Sequence, residues 1–145
     1  MLKSKLLHPE MLRCLASSGH FSRILIADGN YPFVSRSGPN AKIVYLNLTA
    51  GIPKATDVLA AILDTVPVQG ATVMETPNGE RPAIHDEYTS MLPGAVIIDR
   101  LERYAFYDAV CSPLTSLVVA TGETRRFANL LLSIGVVKLE KDERY

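Results

Sequence analysis

Short apolar runs of strand length alternate along this chain with stretches of helical periodicity, and that alternation restricts the fold more than any other feature. Ile24, Leu25 and Ile26 form a continuous apolar run ended by the turn residues Gly29, Asn30 and Pro32, the pattern of a strand buried on both faces. Strands are predicted over 23–27, 42–48, 71–75, 95–98, 117–120 and 129–137, the last interrupted at Gly135. Helical spacing marks 9–18, 53–65, 84–92 and 100–110. Met11, Leu12, Leu15 and Ala16 share one face of the first helix, with Pro9 at its start and Gly19 as its stop. Strands alternating with helices predict an α/β, single-domain layered fold with a largely covered mixed sheet. One domain is expected over 1–145, since 145 residues fall in the usual single-domain range and no repeat or linker interrupts them.

Composition removes several function classes. Fifteen basic residues balance fifteen acidic ones, so there is no electrostatic case for nucleic acid or an anionic membrane surface as partner. The absence of net charge is consistent with a homo-oligomer. No stretch reaches transmembrane length, and the first nine residues do not read as a signal peptide, since their apolar run is short and broken by charge, His8 and Pro9. Cys14 and Cys111 are too few for a disulfide framework or zinc site, which makes the cytoplasm the expected compartment. His8, His20 and His85 have no metal-ligand spacing, so no metal is expected. There is no dinucleotide fingerprint, P-loop, nucleophile elbow or cofactor lysine signature, and no cofactor is expected.

The segment 19–32 puts His20 and Asp28 at the two ends of one apolar strand. Polar residues at strand mouths can be aimed into a crevice at a sheet edge, and imidazole titrates closest to neutrality, so a proton-transfer site is one reading. Ordinary turn and capping residues are the other. The Gly/Pro/Ser-rich loop 28–40 carries Tyr31, Phe33 and Arg36 and is long enough to be functional.

Other candidates have plainer readings beside them. Arg125 and Arg126 could grip a phosphate or form a solvated turn. His85, Asp86 and Glu87 cannot all face one site on a helix and read as a solvated helix start. Tyr88 could reach a neighbouring subunit or pack on the surface. His8 reads as a helix-entry residue. Tyr104, Phe106 and Tyr107 fit a core stripe as well as a platform for stacking a ligand.

Three segments, in order and spaced over most of the chain, resemble the ribose pyranase and L-fucose mutarotase family. They are Gly19-His20 through Asp28 to Pro32; Glu102-Arg103-Tyr104-Ala105-Phe106-Tyr107; and Ala120-Thr121-Gly122-Glu123 with Phe127-Ala128-Asn129-Leu130-Leu131-Leu132 and Gly135-Val136. Asn47 to Pro53 is a weaker echo. The resemblance implies a cofactor-independent isomerase that interconverts anomers or ring forms of a monosaccharide, fucose-like or ribose-like. Arg103 and its aromatic neighbours lean toward L-fucose, and the Phe127-Ala128-Asn129 triplet toward ribose-type members. It implies His20 as the catalytic proton donor and Asp28, Arg103, Phe127, Ala128 and Asn129 as substrate-binding residues. It also implies a homo-oligomer, often a decameric ring, with sites near subunit contacts.

That chemistry suits these residue types. Opening a cyclic hemiacetal takes a base for the anomeric hydroxyl and an acid for the ring oxygen, and reclosure swaps the roles. One positioned group contributes about 10²–10⁴-fold. The chain departs from the family pattern twice. Phe127 stands where the family has tyrosine, and Phe21-Ser22 replaces a Gly-Asp that keeps a carboxylate near the histidine. These departures motivate an alternative, a non-catalytic monosaccharide-binding or regulatory module of the same fold.

Overall fold

Ile24, Leu25, Ile26 and Ala27 are wholly buried, so the strand they form, β1 (Arg23–Ala27), is covered on both faces. The computed structural model describes residues 1–138; the last seven of the expected domain, 139–145, lie outside the described residues. The other strands are β2 (Lys42–Tyr45), β3 (Val68–Met74), β4 (Ile98–Leu101), β5 (Thr115–Ala120) and β6 (Leu130–Ile134). The helices are α1 (Pro9–Ser17), α2 (Ala55–Leu63), α3 (Ala83–Met91) and α4 (Arg103–Val110). One six-stranded sheet runs in the order β2-β5-β1-β6-β3-β4. β6 lies antiparallel between β1 and β3, while β2, β5 and β1 are mutually parallel, as are β3 and β4. The C-terminal ends of five strands therefore share one sheet edge with the N-terminal end of β6.

Side chains alternate between two cores. Ile24, Ile26, Leu117, Val119, Leu130 and Leu132 pack with Met11 and Leu15 of α1, Val58, Leu59 and Ile62 of α2, and Ile84 and Tyr88 of α3. On the other face Leu25, Val118 and Leu131 meet Phe106 and Val110 of α4 and Tyr31 of the following loop. Truncating one such residue, as in Ile26→Ala, costs about 2–5 kcal/mol. This is the covered, mixed α/β sheet expected from the alternation.

Helix starts follow from local chemistry. Pro9 occupies the first turn of α1, and His8 Nδ1 accepts from the Met11 amide at 3.3 Å, the helix-entry role expected of it. The Glu102 carboxylate caps α4 by accepting from the amides of Tyr104 and Ala105 at 3.0 and 3.3 Å, which presents Arg103 at the shared edge.

Boundaries moved where pairing overrides apolar content. The apolar run 95–98 is not the strand: the Val96 amide closes a turn on the Pro93 carbonyl at 2.9 Å, and Ile97 is 80% exposed. β4 begins at Ile98, which pairs with Ala71, and as an edge strand it tolerates Asp99 and Arg100. The predicted strand 42–48 stops pairing soon after Tyr45, with Leu46 donating once more to Ala120. β6 ends at Ile134, because the Gly135 amide turns to the Pro67 carbonyl at 2.8 Å.

Candidate functional site

The Ala27 carbonyl, last in β1, accepts from both the amide and the hydroxyl of Thr121, at 3.1 and 2.7 Å. That double grip from the residue after β5 sets where Asp28 leaves the sheet. Gly122 follows, and a Cβ there would fall on the carbonyls of Thr49 and Ile52, so only glycine lets these segments close together. Because β6 runs antiparallel beside β1, its entry residues stand next to Asp28. The Asp28 amide donates to Asn129 Oδ1 at 2.9 Å, and Asn129 Nδ2 donates to Asp28 Oδ2 at 3.1 Å. Asp28 Oδ1 accepts from the Asn30 amide at 3.0 Å.

A cavity of about 390 Å³ opens at this edge, small among ligand pockets, which span roughly 300–1,000 Å³. Asp28, Asn30 and Tyr31 line it after β1, Met74 at the end of β3, Arg103 and Tyr107 on α4, and Arg126, Phe127 and Asn129 before β6. Tyr31 donates to the Arg36 carbonyl at 2.7 Å and meets the Tyr107 ring edge-on at 5.7 Å, which ties the loop to α4. The Arg126 guanidinium lies 5.5 Å from the centre of the Phe127 ring.

Burial pushes the Asp28 carboxyl above its ordinary value, against the pull of the amides of Asn30 and Ala128. Asp28 is thereby easier to protonate than a surface aspartate. The pair also leaves one Asn129 N–H and further Asp28 lone pairs for a ligand. With Arg103 opposite and apolar walls at Met74 and Phe127, the cavity suits a small polyhydroxyl compound with one apolar face.

Glu123 is the buried anchor beneath this site. Burial opposes its charge, but hydrogen bonds from the Arg125 side chain and backbone and from the Ala55 amide hold it down at about 2. Arg125 grips it with two bonds of 2.9 Å and extends to Glu87 of α3 at 2.6 Å. The Arg125 guanidinium is thus occupied by two carboxylates, with the side chain still 37% exposed.

Asp28, Arg103, Phe127 and Asn129 converge on the cavity. Ala128 is buried between the last two, its carbonyl accepting from the Tyr88 hydroxyl. His20 stands elsewhere in the chain. It precedes β1, whose five residues at about 3.3 Å each put more than about 13 Å between the sheet edges. The His20 ring is exposed and stacks on Phe21 at 3.9 Å, and its Nε2 lies 2.9 Å from Gln69 Oε1. An amide oxygen only accepts, so Nε2 is the donor in this contact. Ser22, at the second departure, accepts from the Gly19 amide at 3.1 Å and closes the turn.

Sequence reading missed Gln69, Met74 and Asn30. Only the register of β3 on β6 could have signalled Met74, and nothing local marks Gln69 as the partner of His20. Two expectations are corrected. His85 is not solvated but 2% exposed, its Nε2 on the Phe127 carbonyl at 2.8 Å, while Asp86 and Glu87 pair with Arg81 and Arg125. Tyr88 is fully buried in its own chain. Of the aromatic stripe, Phe106 is core, Tyr107 lines the cavity and Tyr104 is 66% exposed. Among the described residues no helix is long and apolar enough to cross a membrane.

Residues 1–137 match the RbsD / FucU transport protein family. A D-ribose pyranase of Halalkalibacterium halodurans is 31% identical over 137 residues, covering 94% of this chain and 99% of that protein. A human fucose mutarotase is 34% identical over 149 residues, covering 92% of each. The solved fucose mutarotase of Streptococcus pneumoniae, in complex with L-fucose, superposes with a TM-score of 0.77 at 27% identity, over 95% of this chain and all of that one.

Proposed function

The chain belongs to the RbsD / FucU transport protein family, whose named relatives are sugar isomerases, and we propose that it interconverts anomers or ring forms of L-fucose or a close relative by acid–base catalysis. One observation carries the reading: Asp28, Asn129 and Arg103 converge on a small cavity that is apolar on the side of Phe127 and Met74. Hydroxyls on one side and a methyl or bare ring face on the other are what a 6-deoxy sugar presents. The reaction needs a proton removed from the anomeric hydroxyl and one delivered to the ring oxygen, then rotation about the first carbon–carbon bond and reclosure. Asp28 binds a hydroxyl and, with its raised carboxyl pKa, can share in the transfer. Arg103 steadies the oxygen that gains charge as the ring opens.

His20 supplies the second group from a neighbouring copy. Its exposed ring and the exposed Phe21 lie at one edge of the sheet and the cavity at the other, so a head-to-tail contact between copies would bring the histidine of one to the cavity of the next. Repeated contacts of that type close into a ring when the rotation between successive copies closes. Saturation-transfer NMR across L-fucose, D-ribose and related pentoses and 6-deoxyhexoses tests the function: accelerated anomer exchange is expected for L-fucose, and none for any sugar would refute it. The separation of His20 from the cavity within one chain also favours a second reading, a sugar-binding module without turnover. That reading requires calorimetric binding with no exchange.

A further inference from the structure

α3 meets the segment 125–128 at three points. Glu87 pairs with Arg125 at 2.6 Å, His85 Nε2 donates to the Phe127 carbonyl at 2.8 Å, and the Tyr88 hydroxyl donates to the Ala128 carbonyl. His85 and Tyr88 are three residues apart on one helix face, and both are buried. Between them they take two successive carbonyls of the loop that lines the sugar cavity.

Phe127 needs such support. Its φ of +59° lies in the left-handed region, which side chains other than glycine, Asn and Asp rarely adopt and which persists only where the surroundings impose it. The turn lets Phe127 line the cavity while Asn129, two residues on, faces Asp28. A left-handed residue 127 is therefore part of the cavity's shape.

The second nitrogen of His85 shows that the ring serves more than packing. Nδ1 is buried and has no hydrogen-bond partner. A leucine would fill the space without burying an unpaired nitrogen, so the side chain earns its place through Nε2. A carbonyl oxygen only accepts, so Nε2 bears the hydrogen.

We propose that His85 is a positioning residue for sugar binding: by donating from Nε2 to the Phe127 carbonyl it holds residue 127 in its left-handed turn and so sets the apolar wall of the cavity. The effect on sugar rests on the function proposed above; the effect on the loop does not.

The test compares His85→Gln, whose amide nitrogen can occupy the position of Nε2, with His85→Leu and His85→Asn, which cannot reach the carbonyl. Calorimetry with L-fucose and D-ribose should show affinity weakened about tenfold in the Leu and Asn variants and kept within about threefold of wild type in Gln, with KM changing more than kcat. Wild-type affinity in folded Leu or Asn variants, or a Gln variant as weak as they are, overturns the proposal. Should the Leu variant not fold, the Asn and Gln variants decide. Carbonyl and amide NMR shifts of Phe127 and Ala128, measured without sugar, separate this result from the function. If they are unmoved in Leu and Asn, the clamp is wrong even where no sugar binds; if they move there and return in Gln, it stands.

Discussion

Asp28 and Asn129, 101 residues apart in the chain, hold each other by reciprocal hydrogen bonds, backbone amide to side-chain oxygen at 2.9 Å and side-chain amide to carboxylate at 3.1 Å. Each positions the other, and each keeps capacity for a ligand. Asn129→Ala removes both bonds and leaves a buried carboxylate short of a donor, so sugar affinity should fall by about 1–3 kcal/mol. Asp28→Asn should fall on the same scale. Calorimetry reads both, and wild-type affinity in both variants would remove the pair from the binding site.

His20→Ala should abolish most anomer exchange while leaving the fold intact, since the ring is exposed, stacking on Phe21 and hydrogen-bonding Gln69. A mixing experiment tests its delivery from a neighbour. His20→Ala and Asn129→Ala, assayed at a sugar concentration too low to fill the weakened Asn129→Ala cavity, are dissociated together and reassembled. Random assembly of a head-to-tail ring regenerates roughly a quarter of the sites. No recovery in a properly mixed oligomer would mean that His20 does not serve a neighbour's cavity.

Restoring the tyrosine that the family pattern carries is a third prediction. Phe127 lines the cavity beside Arg126, with polar neighbours able to receive a hydroxyl. Phe127→Tyr should speed exchange or tighten binding modestly, since a neutral hydrogen bond contributes about 0.5–1.5 kcal/mol. A clear loss would instead mean that the cavity is tuned to an apolar wall, as for a sugar bearing a methyl group there.

Acid should weaken the protein through Glu123. Its carboxyl drops from an ordinary value of 4.5 to about 2 in the folded chain. The unfolded chain thus binds the proton more tightly. The stabilisation is complete above the unfolded value and is lost as pH falls from about 4.5 to about 2. Glu123→Gln should cost about 3 kcal/mol at neutral pH, with the gap to wild type closing toward pH 2. Urea midpoints across that range check it, and a constant gap would assign the stabilisation to other groups.

Local pattern determined much of this protein. The run at Ile24 to Ile26, the helix entry at His8 and Pro9, and the punctuation by glycine and proline are short-range signals, and they led to the covered α/β sheet. Family motifs picked out Asp28, Arg103, Phe127 and Asn129, which the fold gathers at one cavity. Strand length alone already implied that His20 and Asp28 stand at opposite sheet edges. Tertiary structure decided what depends on pairing between distant segments. The insertion of β6 between β1 and β3 set Asn129 against Asp28, and the edge position of β4 moved a strand off an apolar run onto Asp99 and Arg100. His85 reads from sequence as a solvated helix start because periodicity registers how polar a residue is and not which carbonyl waits opposite it. In the fold it is buried, with its Nε2 on the Phe127 carbonyl of the loop before β6 at 2.8 Å.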